Sequence, residues 1–64
     1  MRVNGEEIVL GKELSLQDFL TREGYAAGRI AVELNGQVIP KSQYDSVRLC
    51  ETDRLEIVNF VGGG

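Results

Sequence analysis

Two Asn-Gly dipeptides, Asn4-Gly5 and Asn35-Gly36, set the framework of this chain. Asn and Gly tolerate positive φ better than other residues. In that order they favour the two-residue turn whose twist matches a β-hairpin. Each dipeptide lies between apolar segments, so each predicts a pair of antiparallel strands. In the first pair, Met1 to Val3 leads in and Glu6 to Leu10 returns, with Ile8, Val9 and Leu10 as its apolar content. In the second, Ile30 to Leu34 alternates, with Ile30, Val32 and Leu34 on one side. Gln37 to Ile39 returns until Pro40 cuts the strand short.

A helix is predicted between the hairpins. Ser15 is placed to accept a hydrogen bond from a first-turn amide, and Asp18 three residues on gives a capping-box-like pair. Leu16, Phe19 and Leu20 fall on one helical face. Gly24 supplies the left-handed residue that ends many helices, with Tyr25 folding back on the last turn. A helix of about nine residues cannot stand alone, so its apolar face must pack on a sheet. Beyond the second hairpin, Lys41 to Val47 reads as a loop or single helical turn with Tyr44 as a lid on the core. Leu49 and Cys50 lead into a polar turn at Glu51-Thr52-Asp53, and Arg54 to Val61 forms the final strand.

Hairpin, helix, hairpin, loop and strand in so short a chain predict an α+β fold, a β-grasp with a mixed four- to five-stranded sheet and one helix across one face. The last strand lies centrally if it pairs with the first. Residues 1–61 then form the domain and residues 62–64 a flexible glycine tail. Sixty-four residues, 42% of them hydrophobic, suffice for one small core and leave little room for an internal active site.

Charge narrows the function. Ten acidic and seven basic residues give net charge −3, and the bases are scattered, which argues against nucleic acid as a partner. A single cysteine excludes an internal disulfide and fits a reducing compartment. The amino-terminal residues lack a signal-peptide pattern and no segment is long enough to span a membrane, so a cytoplasmic chain, monomeric when free, is expected.

The final residues, Val61-Gly62-Gly63-Gly64, follow the last strand with almost no spacer. Two readings are open: an inert end, or a slender terminus that threads a partner's tunnel and presents its carboxylate there. An α-carboxylate, with a pKa of about 3.5, is an anion at neutral pH and a poor electrophile. Sulfur or an amine attacks it only after the oxygen is converted to a better leaving group, such as a nucleotide monophosphate. Glycine at Gly64 leaves the attacked carbon unhindered, and Gly62 and Gly63 keep the approach narrow. Ordering such a tail costs about 1–2 kcal/mol per residue, so a docking surface on the domain is needed to offset it.

Strand phase supplies that surface. Leu55, Ile57 and Asn59 share one face; Arg54, Glu56, Val58 and Phe60 share the other. If Leu55 and Ile57 meet the helix, then Val58 and Phe60, with Val61, form a docking surface near the tail; alternatively, Phe60 closes the end of the core. Arg48 and Arg54 are further docking candidates. Cys50 has no histidine in the chain to activate its thiol, and it reads as a small hydrophobe or an incidental surface residue. Glu6, Glu7, Glu51, Asp53 and Glu56 have no metal-ligand or acid–base spacing and are expected to be solvated. The three terminal glycines precede no helix and form no phosphate loop.

The element order, together with Val32-Glu33-Leu34-Asn35-Gly36, Val38-Ile39-Pro40 and the run from Glu56 to Gly64, resembles the ThiS family over essentially the whole chain. These are ubiquitin-like sulfur carriers of thiamine biosynthesis. The resemblance implies a protein cosubstrate rather than an enzyme, with no stably bound cofactor. A ThiF-type, E1-like adenylyltransferase would use ATP and Mg²⁺ to activate Gly64 as an acyl-adenylate, and sulfur would displace the adenylate. A ThiG-type thiazole synthase would take sulfur from the resulting thiocarboxylate. One departure is the turn Glu51-Thr52-Asp53, where the family commonly has an Asp-Gly-Asp type; Thr52 would be strained if that position needed positive φ. Alternatives are a carrier for another pathway, of the molybdopterin synthase small-subunit type, a ubiquitin-like lysine tag, or a noncovalent interaction module.

Overall fold

The computed structural model of the chain describes residues 1–60. Strands β1 (Arg2–Val3), β2 (Glu6–Glu7), β4 (Ile30–Leu34), β5 (Gln37–Ile39) and β7 (Arg54–Asn59) form one sheet in the order β2-β1-β7-β4-β5. The β1–β7 pairing is parallel and the others are antiparallel. The final strand is therefore central, flanked by the first strand of each hairpin, in the β-grasp arrangement expected from the sequence. Both turns are built as the dipeptides require, with Asn4 at φ 50° and Asn35 at φ 52°, each followed by a positive-φ glycine.

Helix α1 (Leu16–Arg22) lies across one face of this sheet. Ser15 caps it, its hydroxyl accepting from the Asp18 amide at 3.0 Å. At the other end the Tyr25 amide donates to the Leu20 carbonyl at 2.9 Å across Gly24, which has φ +85°. Leu16, Phe19 and Leu20 are fully buried against Val3, Ile30, Val32, Leu55 and Ile57 from the sheet. Tyr44 closes one side of this core as a lid, and burial pushes its phenol pKa above the ordinary value. Among the described residues no helix is long and apolar enough to cross a membrane.

Three features depart from the sequence expectation. The first returning strand ends at Glu7, although the Ile8 amide still donates to the Met1 carbonyl at 2.7 Å. Beyond it, side chains hold the backbone in place of a strand. The Glu51 carboxylate accepts from the Leu10 and Gly11 amides at 3.2 Å each, while the Arg22 guanidinium donates to the Leu10 carbonyl at 2.7 Å. Glu51 also meets the Met1 ammonium at 3.3 Å, so it is a brace rather than a merely solvated acid. Second, Leu14–Ser15 (β3) and Arg48–Leu49 (β6) form an unexpected two-stranded pair that ties the start of the helix to the segment before the last turn. Third, β7 ends at Asn59 rather than Val61, which lies outside the described residues. Thr52 is not among the residues with positive φ, so the threonine in its turn carries no such strain.

Candidate functional site

The carboxyl end of β7 is where the fold converges. Its alternation follows from the sequence: Leu55 and Ile57 are buried against the helix, while Arg54, Glu56, Val58 and Phe60 lie on the open face. Val58 is 61% exposed and Phe60 58%, which settles the two readings of Phe60: it does not close the core. Phe60 is nevertheless positioned, its amide donating to the Arg29 carbonyl at 2.8 Å. Large apolar side chains left in water at the end of a well-anchored strand form the kind of patch that partners cover.

Register extends that patch. Val58 lies opposite Ala31, and Glu56 lies opposite Glu33, which in turn faces Val38 on β5. Val38, 68% exposed, thus joins the same face, a contribution that strand phase across the second hairpin could have revealed. Glu33 and Glu56 are like charges directly opposite each other, an unfavourable cross-strand pair, and among the described residues neither enters an ion pair. Arg54 sits at the far end of the face beside Arg2. Arg48 is placed on β6, outside the five-stranded sheet.

Two asparagine side chains fix the strand that carries this face. Asn4 accepts from the Ile57 amide at 2.8 Å through Oδ1 and donates to the Ile57 carbonyl at 3.2 Å through Nδ2. Asn35 accepts from the Arg54 amide at 2.9 Å and donates to Asp53 at 3.0 Å. Both asparagines of the hairpin turns therefore also grip β7. Asp53 in addition accepts from the Cys50 amide at 2.8 Å, so it too is a structural brace in its turn. Hairpin signals in sequence find the turns, but not the second use of the same side chains.

No reaction centre emerges around these residues. Cys50 is exposed and free, with no histidine in the chain to take its proton. Among the described residues no three His, Cys, Asp or Glu side chains gather to hold a metal ion. The lowered pKa of Glu51 is explained by the Leu10 and Gly11 amides, with the Met1 ammonium adding to them. Of the residues expected to act, Val58 and Phe60 are brought together on the open face. Val61, Gly62, Gly63 and Gly64 lie outside the described residues.

Comparison with known proteins gives a consistent result. The sequence model of the ThiS family matches residues 1–64. The sulfur carrier protein ThiS of Bacillus subtilis (strain 168) is 37% identical over 65 residues, covering 100% of this chain and 98% of its own. A thiazole synthase of Paramagnetospirillum magneticum is 39% identical over 62 residues, which are 97% of this chain but 19% of that protein. This chain thus spans about a fifth of the length of that relative. The crystal structure of the thiamine biosynthesis protein ThiS from Geobacter metallireducens superposes with a TM-score of 0.82 at 33% identity, covering 98% of this chain and 96% of that one.

Proposed function

This chain belongs to the ThiS family and is a sulfur carrier protein of thiamine biosynthesis, and we propose that Gly64 carries the sulfur. In this reading a carboxylate oxygen of Gly64 attacks the α-phosphorus of ATP, pyrophosphate leaves, and an acyl-adenylate forms. Hydrosulfide, or an equivalent sulfur donor, then attacks the carbonyl carbon. The C–O bond to AMP breaks, a proton is released, and a thiocarboxylate remains.

The chain's own part is to present the terminus and supply the docking surface, while a ThiF-type adenylyltransferase binds ATP and Mg²⁺ and performs the activation. The observation that carries the reading is β7 itself. It is a central strand gripped by Asn4 and Asn35, carrying exposed Val58 and followed by exposed Phe60, Val61 and three glycines. That arrangement combines rigidity where a partner docks with minimal bulk where it reacts. The domain is then residues 1–61 and the threading tail residues 62–64, with Val58, Phe60 and Val61 as docking contacts.

A thiazole synthase of the ThiG type is the acceptor in this proposal. Support comes from the relative of that name, which contains a segment similar to this chain within its own much longer chain. Carrier and acceptor acting together is the economical reason for such a combination. A cytoplasmic, non-enzymatic role belongs to the same proposal. Deleting Gly64 tests it: ATP-dependent sulfur incorporation by the adenylyltransferase should vanish while the circular dichroism spectrum and melting curve stay unchanged. Undiminished incorporation by the shortened chain would overturn the assignment of Gly64.

A further inference from the structure

Backbone groups along β7 alternate between its two neighbours. On the β4 side the Asn35 amide donates to the Arg54 carbonyl and the Phe60 amide to the Arg29 carbonyl, each at 2.8 Å. The polar groups of Leu55, Ile57 and Asn59 therefore point the other way, towards β1. There the Leu55 carbonyl accepts from the Asn4 amide at 2.9 Å, and both polar groups of Ile57 are taken by the Asn4 carboxamide. Asn59 is the next rung. Strand β1 has two residues and the chain turns away at Asn4-Gly5, so β1 itself does not continue alongside. Among the described residues neither the amide nor the carbonyl of Asn59 has a partner, and Asn59 is exposed.

We propose that this rung is a strand-addition site, at which an extended segment of the ThiF-type adenylyltransferase pairs with β7 at Asn59. The inference rests on the function proposed above and adds how the enzyme holds the chain. The Asn4 carboxamide already acts as a one-residue stand-in for a neighbouring strand, so the edge accepts peptide-like groups in the plane of the sheet. Main-chain pairing supplies direction and register, and side-chain pockets supply specificity. Gly64, the reacting residue, lies five positions beyond Asn59, at most about 18 Å of extended chain. Pairing at Asn59 would thus aim the tail at the adenylylation centre. Alternate side chains of the added segment would lie beside Val58 and Phe60 on the open face.

Cys50 provides a ligation point for the test. A synthetic segment 50–64 with an N-methyl group on Asn59 is joined to residues 1–49, and the unmodified segment is joined in parallel. The N-methyl group removes the donor and blocks a strand from approaching that edge, while no hydrogen bond among the described residues is lost. The expected result is an unchanged melting curve with dissociation from the adenylyltransferase, measured by calorimetry, weakened about tenfold or more. Equal affinity of the two chains overturns the pairing alone. Failure of the unmodified chain to bind overturns the partner reading and the pairing with it. A dimer of the unmodified chain that N-methylation dissolves would assign the edge to a second copy and overturn the proposed occupant. Should the methyl group disturb folding, an ester linkage at the same amide removes the donor without added bulk and reads out the same way.

Discussion

Asn4 holds the central strand by two kinds of physics, and substitutions separate them. Its side chain makes two hydrogen bonds to the Ile57 backbone, at 2.8 and 3.2 Å, and its own backbone sits at φ 50°. Asn4→Gly removes the hydrogen bonds but accepts the turn conformation. At a net 0.5–1.5 kcal/mol for each bond, the loss is about 1–3 kcal/mol. Asn4→Ala removes the same bonds and adds a Cβ in the left-handed region, a further cost of about 1–2 kcal/mol. A domain of this size has only about 3–10 kcal/mol of stability in total. The glycine variant should therefore melt about 7–22 °C below the native chain, and the alanine variant lower still. Thermal and urea unfolding followed by circular dichroism measure both, with an unchanged denaturant slope confirming that the folded state is otherwise intact. A glycine variant as stable as the native chain would refute the reasoning, because water would then satisfy Ile57 as well as Asn4 does.

Ser15→Ala removes the helix cap and should cost about 0.5–2 kcal/mol, read from urea midpoints. Glu51 has a folded pKa below its ordinary value. Its contribution is therefore present above the unfolded carboxylate pKa and is lost as pH falls through the lower folded value. Melting temperatures measured from about pH 6 down to about pH 3 should fall for the native chain and fall less for Glu51→Gln. Replacing exposed Val58 or Phe60 with serine should leave the melting temperature within a few degrees while weakening adenylyltransferase binding several-fold, as calorimetry would show.

Local signals made most of the fold legible. The helix start at Ser15 and Asp18, its end at Gly24 and both Asn-Gly turns are short-range chemistry, and each sits where its residues require. The phase of β7 was equally readable, because Leu55 and Ile57 alternate with charged neighbours. What escaped reading is long-range. Ile8 to Leu10 looks like strand, yet Val9 is 76% exposed and the backbone there is held by Glu51 and Arg22, distant in sequence. The pair formed by Leu14–Ser15 and Arg48–Leu49 is too short for any periodicity to announce it. The roles of Asn4 and Asn35 on β7 need the fold before their partners can be known. Of the site, Val58 and Phe60 were legible from phase alone, whereas Val38 required the register of the second hairpin.

The central claim is tested most directly by intact and peptide-level mass spectrometry after incubation with a ThiF-type adenylyltransferase, ATP and a sulfide source. The account predicts a gain equal to one sulfur replacing one oxygen, dependent on ATP and located on the peptide ending at Gly64. Localisation decides the matter, because oxidation of Met1 or Cys50 adds almost the same mass. An unmodified Gly64, with the same enzyme shown active on another carrier, would contradict the account and favour a noncovalent interaction module.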